Sequence, residues 1–485
     1  MWTALGSLLR PQPAPSPAPR AEQPTPSWRV GFEDLAREHG FEPLRVEGSL
    51  PHELEGTLYR NGPGRFGVGG ERYRHWFDGD GAVTAVRVGH GRAFGATKMV
   101  QTPAYLEERR AGRRLYGGYD TPLARPFYEV VLGQVKNAGN TSIMLWDDRV
   151  FALCESGRPI ELADNDLTTL GENDLGVVRR AFAAHPHRVP SRRALYGFGL
   201  GVGPRTSVEV YELPDDRAPR TIARFSLDGL RLNHDFAVTE RHAVFLFSPT
   251  YLSISDMLLF RRGPVSSARW RPERGVEVVL VGLDAPHEVV RFHVDAFHME
   301  HVVNAFERDG EIVIDQVDYP DPWGLERFVS GLVRGVVQAP LASRLRRVVI
   351  DPNRRTLRAE LLADRPLELP RVSPRVESRP HRFAYLAGAS GEFIDAVLAF
   401  DLETGAVDRF APGADQYPSE AVFVPRDGGG EENDGWLLTM VLDARQRESH
   451  LAVLDARRVG AGPIARLWFD HAIPFGFHGA WAGGR

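Results

Sequence analysis

At 485 residues the chain is long for one compact domain, although closed all-β architectures reach this size as single units. Apolar residues at 42% and charged ones at 25% are those of an ordinary globular protein, and 59 basic against 64 acidic residues leave a net charge of -5, which gives no electrostatic case for nucleic-acid binding. The single cysteine, Cys154, excludes an internal disulfide and points to a reducing, cytoplasmic setting.

The N-terminus, Met1-Trp-Thr-Ala-Leu-Gly-Ser-Leu-Leu-Arg, lacks a basic leader and its apolar part is short and interrupted, so neither a signal peptide nor a transmembrane helix is expected. Pro11 to Trp28 is dominated by Pro, Ala, Ser and Gln, a composition that buries too little apolar surface to offset its ordering entropy. The expectation is a disordered Pro/Ala-rich tail over residues 1–30 and one folded domain over 31–485.

Leu54 to Gly64 and Tyr73 to Ala82 carry Asn-Gly and Asp-Gly pairs, which read as tight connections within a sheet. Thr102 to Arg114 reads as a short helix. From Val150 onward, short runs of Val, Ile, Phe, Tyr and Leu are cut by turns such as Asp-Asp-Arg at 147–149, Arg-Asp-Gly at 308–310 and Glu-Thr-Gly at 403–405. That pattern predicts an all-β sandwich, barrel or propeller without a visible repeat period. Trp323 to Arg347 places Leu325, Phe328, Val329, Leu332, Val336 and Val337 at roughly helical spacing, as a cap over the β scaffold. Tyr251 to Arg262 sets large apolar side chains beside paired arginines, a composition compatible with transient contact with a membrane surface or with a loop buried over the core.

Four histidines sit in apolar, strand-edge settings: His185 in Phe-Ala-Ala-His-Pro, His234 in Leu-Asn-His-Asp-Phe, His301 in His-Met-Glu-His-Val-Val-Asn, and His478 in Gly-Phe-His-Gly-Ala-Trp. Imidazole suits Fe, Cu, Zn and Ni, and no cysteine cluster competes. They make a metal site only if the fold brings them together.

Eight segments occur in one order: Arg60-Asn-Gly-Pro, His75-Trp-Phe-Asp-Gly-Asp-Gly, Ala184-His-Pro, His234-Asp-Phe, His301-Val-Val-Asn-Ala-Phe-Glu, Glu368-Leu-Pro-Arg, Arg379-Pro-His-Arg-Phe and Gly476-Phe-His-Gly-Ala-Trp. Together they resemble the carotenoid cleavage oxygenase family from about Phe32 to the C-terminus. The resemblance implies a seven-bladed β-propeller with a helical and loop cap over an axial Fe(II), held by His185, His234, His301 and His478 from four blades. It selects His185 over His187 and His301 over His298, leaving His187 and His298 as surface or second-layer residues. It further implies three glutamates, Glu155, Glu368 and Glu420, that orient His234, His301 and His478 in that order.

The implied chemistry is addition of O2 across one conjugated double bond of a hydrophobic polyene, with two carbonyl products, retinal-type aldehydes among them. Thr141 falls where the family often places a small side chain near the vacant coordination position. Relatives that cleave phenolic stilbenes carry a lysine where this chain has Cys154, so a carotenoid or apocarotenoid is expected ahead of a stilbene. A retinoid isomerase that does not use O2 and a propeller that only binds a hydrophobic ligand are the alternatives. A Ca2+-dependent hydrolytic propeller is less favoured, because its ligands would be oxygens.

Overall fold

The computed structural model describes residues 25–122, 136–201, 205–259 and 262–484. Seven sheets of four or five antiparallel strands succeed one another along the chain and close into a seven-bladed β-propeller. From the axis outward, blade one orders Gly479–Gly483, Gly56–Arg65, Asp80–Gly89, Arg92–Met99 and His39–Pro43. Blades two to six begin, innermost strand first, with Ser142–Trp146, His187–Val189, Ala237–Val238, His298–Arg308 and Leu367–Arg371. Blade seven runs from Gln416–Pro425 out to Pro463–Trp468, and Arg45–Gly48 adds its outermost strand. The ring is therefore closed twice: an N-terminal strand completes the last blade, and the C-terminal strand supplies the inner edge of the first.

Burial explains why these runs become strands at these depths. Val276–Gly282, a middle strand of blade four, is buried on both faces apart from its last residue and reads as an almost unbroken apolar run. Outer strands such as Arg220–Leu227 and Thr356–Ala363 are largely exposed and mix charge with apolar residues. The cores lie between facing sheets, as where Phe198, Val208 and Val210 of blade three meet Phe245, Phe247 and Val279 of blade four. Asp147-Asp148 and Asp309-Gly310 take positive φ in two-residue hairpins, as their sequences predict.

The glycine pairs of the first blade do something else. Asn61-Gly62-Pro63-Gly64 lies inside the strand Gly56–Arg65, and Asp80-Gly81 opens the strand Asp80–Gly89, so neither is a turn. These glycines permit close backbone approach: a Cβ on Gly62 would meet Gly476 Cα at 2.2 Å, and one on Gly81 would meet the Gly139 carbonyl oxygen at 2.1 Å.

The expected helix at 102–114 spans Pro103–Ala111, capped by Thr102 Oγ1, which accepts from the Tyr105 N–H at 3.2 Å, and stopped by Gly112 at φ 61°. The helical reading of 323–347 is too long. The helix covers Trp323–Val329, a 3-10 turn follows at Leu332–Arg334, Gly335 breaks it at φ 78°, and Arg344–Asp351 is a strand. Most of the tail expected over 1–30 lies outside the described residues. The ordered chain begins earlier than expected: Ser27–Phe32 forms a 3-10 helix whose Trp28 and Phe32 are 3% and 1% exposed among Phe66, Trp76, Phe393 and Phe475.

Tyr251 to Arg262 forms the short strand Thr250–Leu252 and the helix Ile254–Leu259, with Phe260 and Arg261 outside the described residues. Among the described residues, no helix is long and apolar enough to cross a membrane.

Candidate metal centre

All seven blades place one residue at the axis. His185 and His234 precede the inner strands of blades three and four, His301 lies within that of blade five, and His478 precedes the C-terminal strand of blade one. Glu155 follows the strand Arg149–Leu153 of blade two, while Glu368 and Glu420 lie on the inner strands of blades six and seven. The four histidines, 293 residues apart from first to last (478 minus 185), each offer a ring nitrogen, and these nitrogens lie within 4.8 Å of one another.

The carboxylates stand behind the imidazoles. Glu368 Oε2 accepts from His301 Nδ1 at 2.6 Å, and Glu420 Oε1 from His478 Nδ1 at 2.9 Å. Glu155 Oε1 lies 2.6 Å from His234 Nδ1, a close ionic contact without the alignment of a hydrogen bond. Each contact draws the proton to Nδ1 and leaves Nε2 as a lone pair facing the axis. Yet Nε2 of His234 lies 2.9 Å from Nε2 of His185 and 3.2 Å from Nε2 of His301.

Facing lone pairs at that distance repel unless a proton or a metal ion lies between them, and in the metal-free cluster the proton held by His234 fills that role. Nitrogens bound at about 2.1 Å to one ion, at right angles to each other, are about 3 Å apart. The donor set therefore fits a transition-metal ion, and this cluster could hold one.

Electrostatics distinguish the four rings. Burial alone lowers a histidine, but Glu155 overrides it and raises His234 to about 10; Glu368 likewise raises His301. Burial and the neighbouring imidazoles push His185 well below its usual range. Burial brings His478 down to about 4 even with Glu420 beside it. The difference lies in what else holds Glu420. Arg371 Nε donates to Glu420 Oε1 at 2.7 Å, Arg60 Nη1 and the Gly479 N–H donate to Oε2, and these arginines keep the buried carboxyl far below the ordinary carboxylate range.

Arg60 and Arg371 thus explain two of the sequence motifs, although sequence reasoning assigned them no role. Arg60 Nη2 also binds the Phe477 carbonyl at 2.9 Å and Arg371 Nη2 the Gly479 carbonyl at 2.6 Å, so the pair grips the backbone on both sides of His478. Glu300 was also missed. It is the extra residue of a β-bulge between Met299 and His301, and His298 Nε2 lies 2.9 Å from its Oε2. Burial opposes its charge, yet His234 and His298 hold it down at about 2.

His187 is hydrogen-bonded at 2.8 Å to Asp235, whose other oxygen accepts from the Val302 N–H, so it belongs to a layer outside the cluster, and His298 stays with Glu300 and Ser248. Asn304 and the Arg379-Pro-His motif are scaffold: Asn304 Nδ2 donates to the Val376 and Arg379 carbonyls, and His381 pairs with Asp315 at 3.1 Å. Thr141 accepts the His478 N–H at its carbonyl (3.2 Å), and its hydroxyl donates to Asn140 Oδ1. Cys154 is half-buried, its thiol 3.2 Å from Ser156 Oγ. His234 and Glu155 keep 25% and 32% of their side-chain surface open.

Residues 32–483 match the family described as retinal pigment epithelial membrane protein. The chain is 34% identical to the apocarotenoid-15,15'-oxygenase of Synechocystis sp., over 97% of this chain and 99% of that one. It is 29% identical to a probable chloroplastic carotenoid cleavage dioxygenase of Arabidopsis thaliana, over 90% and 76%. A crystal structure of the cobalt-substituted Synechocystis apocarotenoid oxygenase superimposes with a TM-score of 0.84 at 31% identity, covering 94% of this chain and 98% of that one. With its seven blades, its axial histidines and these relatives, the chain belongs to the carotenoid cleavage oxygenase family.

Proposed function

We propose that this chain is a non-haem Fe(II) dioxygenase that uses O2 to cleave one conjugated C=C bond of a carotenoid or apocarotenoid into two carbonyl products. The observation that carries the reading is the convergence of four imidazoles on one point of the propeller, in a chain similar throughout to an apocarotenoid oxygenase. His185, His234, His301 and His478 would hold the iron, which when bound would supply the activation of dioxygen.

The remaining work belongs to the protein. Glu155, Glu368 and Glu420 fix the tautomers and offset the charge of the ion without using its coordination positions. Trp76, Phe77, Phe477 and Tyr119 form a connected aromatic wall beside His478, with ring centroids 4.6–5.3 Å apart, against which a polyene packs. Thr141 and Cys154 line the substrate side. Cys154 offers no cation to a phenolate, which favours a polyene over a hydroxylated stilbene. On this reading the protein is cytoplasmic, with transient contact at the membrane surface from which the lipid-soluble substrate is drawn.

Anaerobic loading with Fe(II), followed by incubation in air with β-carotene, an apocarotenal and resveratrol, tests the reading by product mass. Paired aldehydes from a polyene support it. Isomerised or hydrolysed retinoid without O2 uptake, or iron binding without turnover of any of the three, overturns it.

A further inference from the structure

Three of the four axial histidines have a near neighbour in the chain that belongs to one hydrogen-bonded knot. His187 lies two residues after His185 and opens the inner strand of blade three, Asp235 follows His234 at the head of blade four, and Val302 follows His301 on the inner strand of blade five. Asp235 Oδ2 accepts from the Val302 N–H at 2.7 Å, its Oδ1 accepts from the Phe236 N–H at 2.7 Å, and His187 Nε2 lies 2.8 Å from the same Oδ1. Asp235 is 1% exposed, and the His187 ring stands edge-on to the buried Phe236, with centroids 5.3 Å apart.

Blades three, four and five are separate sheets, so the ladder within each does not set the distance between ligands of different blades. The Nε2 of His234 nevertheless stands 2.9 Å from that of His185 and 3.2 Å from that of His301. The inner strand of blade five is bulged on both sides of His301 and Val302, and the Val302 N–H is given to the neighbouring blade. The fourth ring, His478, is held otherwise, by Arg60 and Arg371. Backbone N–H groups can only donate, so both oxygens of Asp235 are committed as acceptors. An amide in this place would set its own N–H against one of the two donors, whichever way it turned.

We propose that Asp235 is a positioning residue for the metal centre: one carboxylate clamps the chain beside His185, His234 and His301 and so fixes the spacing of three ligands across three blades. The proposal rests on the reading of the axial histidines as a metal site.

Co(II) added to the metal-free protein is the probe, read by equilibrium dialysis and by its visible d–d absorption, which reports ligand geometry. Asp235→Asn should bind Co(II) roughly 10- to 100-fold more weakly and shift the absorption bands. His187→Ala, at a side chain that is 26% exposed, should move both readings in the same direction, and His187→Gln, which keeps an N–H donor, should restore them. Glu277→Gln breaks the ion pairs to Arg231 and Arg291 elsewhere in blade four; it should lower the melting temperature and leave affinity and bands unchanged. Native affinity and bands in either Asp235→Asn or His187→Ala, or an equal band shift in Glu277→Gln, would overturn the proposal and leave the metal reading standing. No Co(II) bound by the unaltered protein would overturn both.

Discussion

At the scale of the residue, the centre rests on the pairing of an imidazole with a carboxylate, and that pairing sets its response to pH. His234 is raised to about 10 by Glu155, so in the metal-free protein it holds a proton at neutral pH that an incoming ion must displace. Metal affinity should therefore rise with pH between about 6.5 and 8.5, by up to about tenfold per unit for each proton displaced, and uptake should release protons into weakly buffered solution. Affinity that does not change with pH would contradict this. In the metal-free protein the same pair stabilises the fold below about pH 6.5, and that contribution is lost as the pH rises through about 10. Glu155→Gln keeps the size of the side chain but removes the charge. It should weaken metal binding roughly 10- to 100-fold, as changes just behind metal ligands do, and equilibrium dialysis checks it. Cys154→Lys places a cation beside Glu155 and should shift turnover from the apocarotenal toward resveratrol; an unchanged substrate ratio would refute the role given to this position.

At the scale of the element, close backbone approach around Asn61 and Gly62 holds the C-terminal strand at the axis. The Asn61 N–H donates to the His478 carbonyl and the Phe477 N–H to the Asn61 carbonyl, at 2.9 and 2.8 Å, and Gly62 leaves no room for a Cβ against Gly476. Gly62→Ala should therefore push residues 476–478 outward and lower iron occupancy, measured per folded chain by metal analysis. This element also marks where the sequence misleads. Asn-Gly and Asp-Gly read locally as hairpin turns, because turn chemistry is a property of neighbouring residues. The need for glycine here comes from a segment more than 400 residues away (476 minus 62), which no local pattern records. The same limit appears in the helical reading of 323–347, where apolar spacing continues past the point at which Gly331 and Gly335 end the helix and Val336 turns out to solvent, 51% exposed. The turns at Asp147 and Asp309 were legible, because each is decided within four residues, and so was the short helix that begins after Thr102.

At the scale of the whole molecule, the propeller turns seven distant segments into one site, and this is why composition and strand pattern gave all-β but not the number of blades. The blade count and the choice among sixteen histidines came from the ordered motifs and their family resemblance, not from periodicity. The supporting layer was legible only in part: the three glutamates were implied by the family resemblance, whereas Glu300 depends on a bulge that strand spacing does not reveal. The N-terminal anchor was missed because Pro, Ala and Ser around Trp28 outweigh a single aromatic in composition, although Trp28 and Phe32 pack into the core that spans blades five and six and the return before His478. Phe32→Ala should cost about 3–5 kcal/mol, read as a lower denaturant midpoint.

The central claim is that the axial histidines hold an iron that splits a double bond with dioxygen. It is tested most directly by supplying an apocarotenal and 18O2 to the Fe(II)-loaded protein and to His301→Ala, and weighing the products. The account predicts two carbonyl fragments from the unaltered protein, with one O2 consumed per cleavage, and neither bound iron nor fragments from the variant. Iron and full turnover retained in His301→Ala, or products formed without O2 uptake, would contradict it.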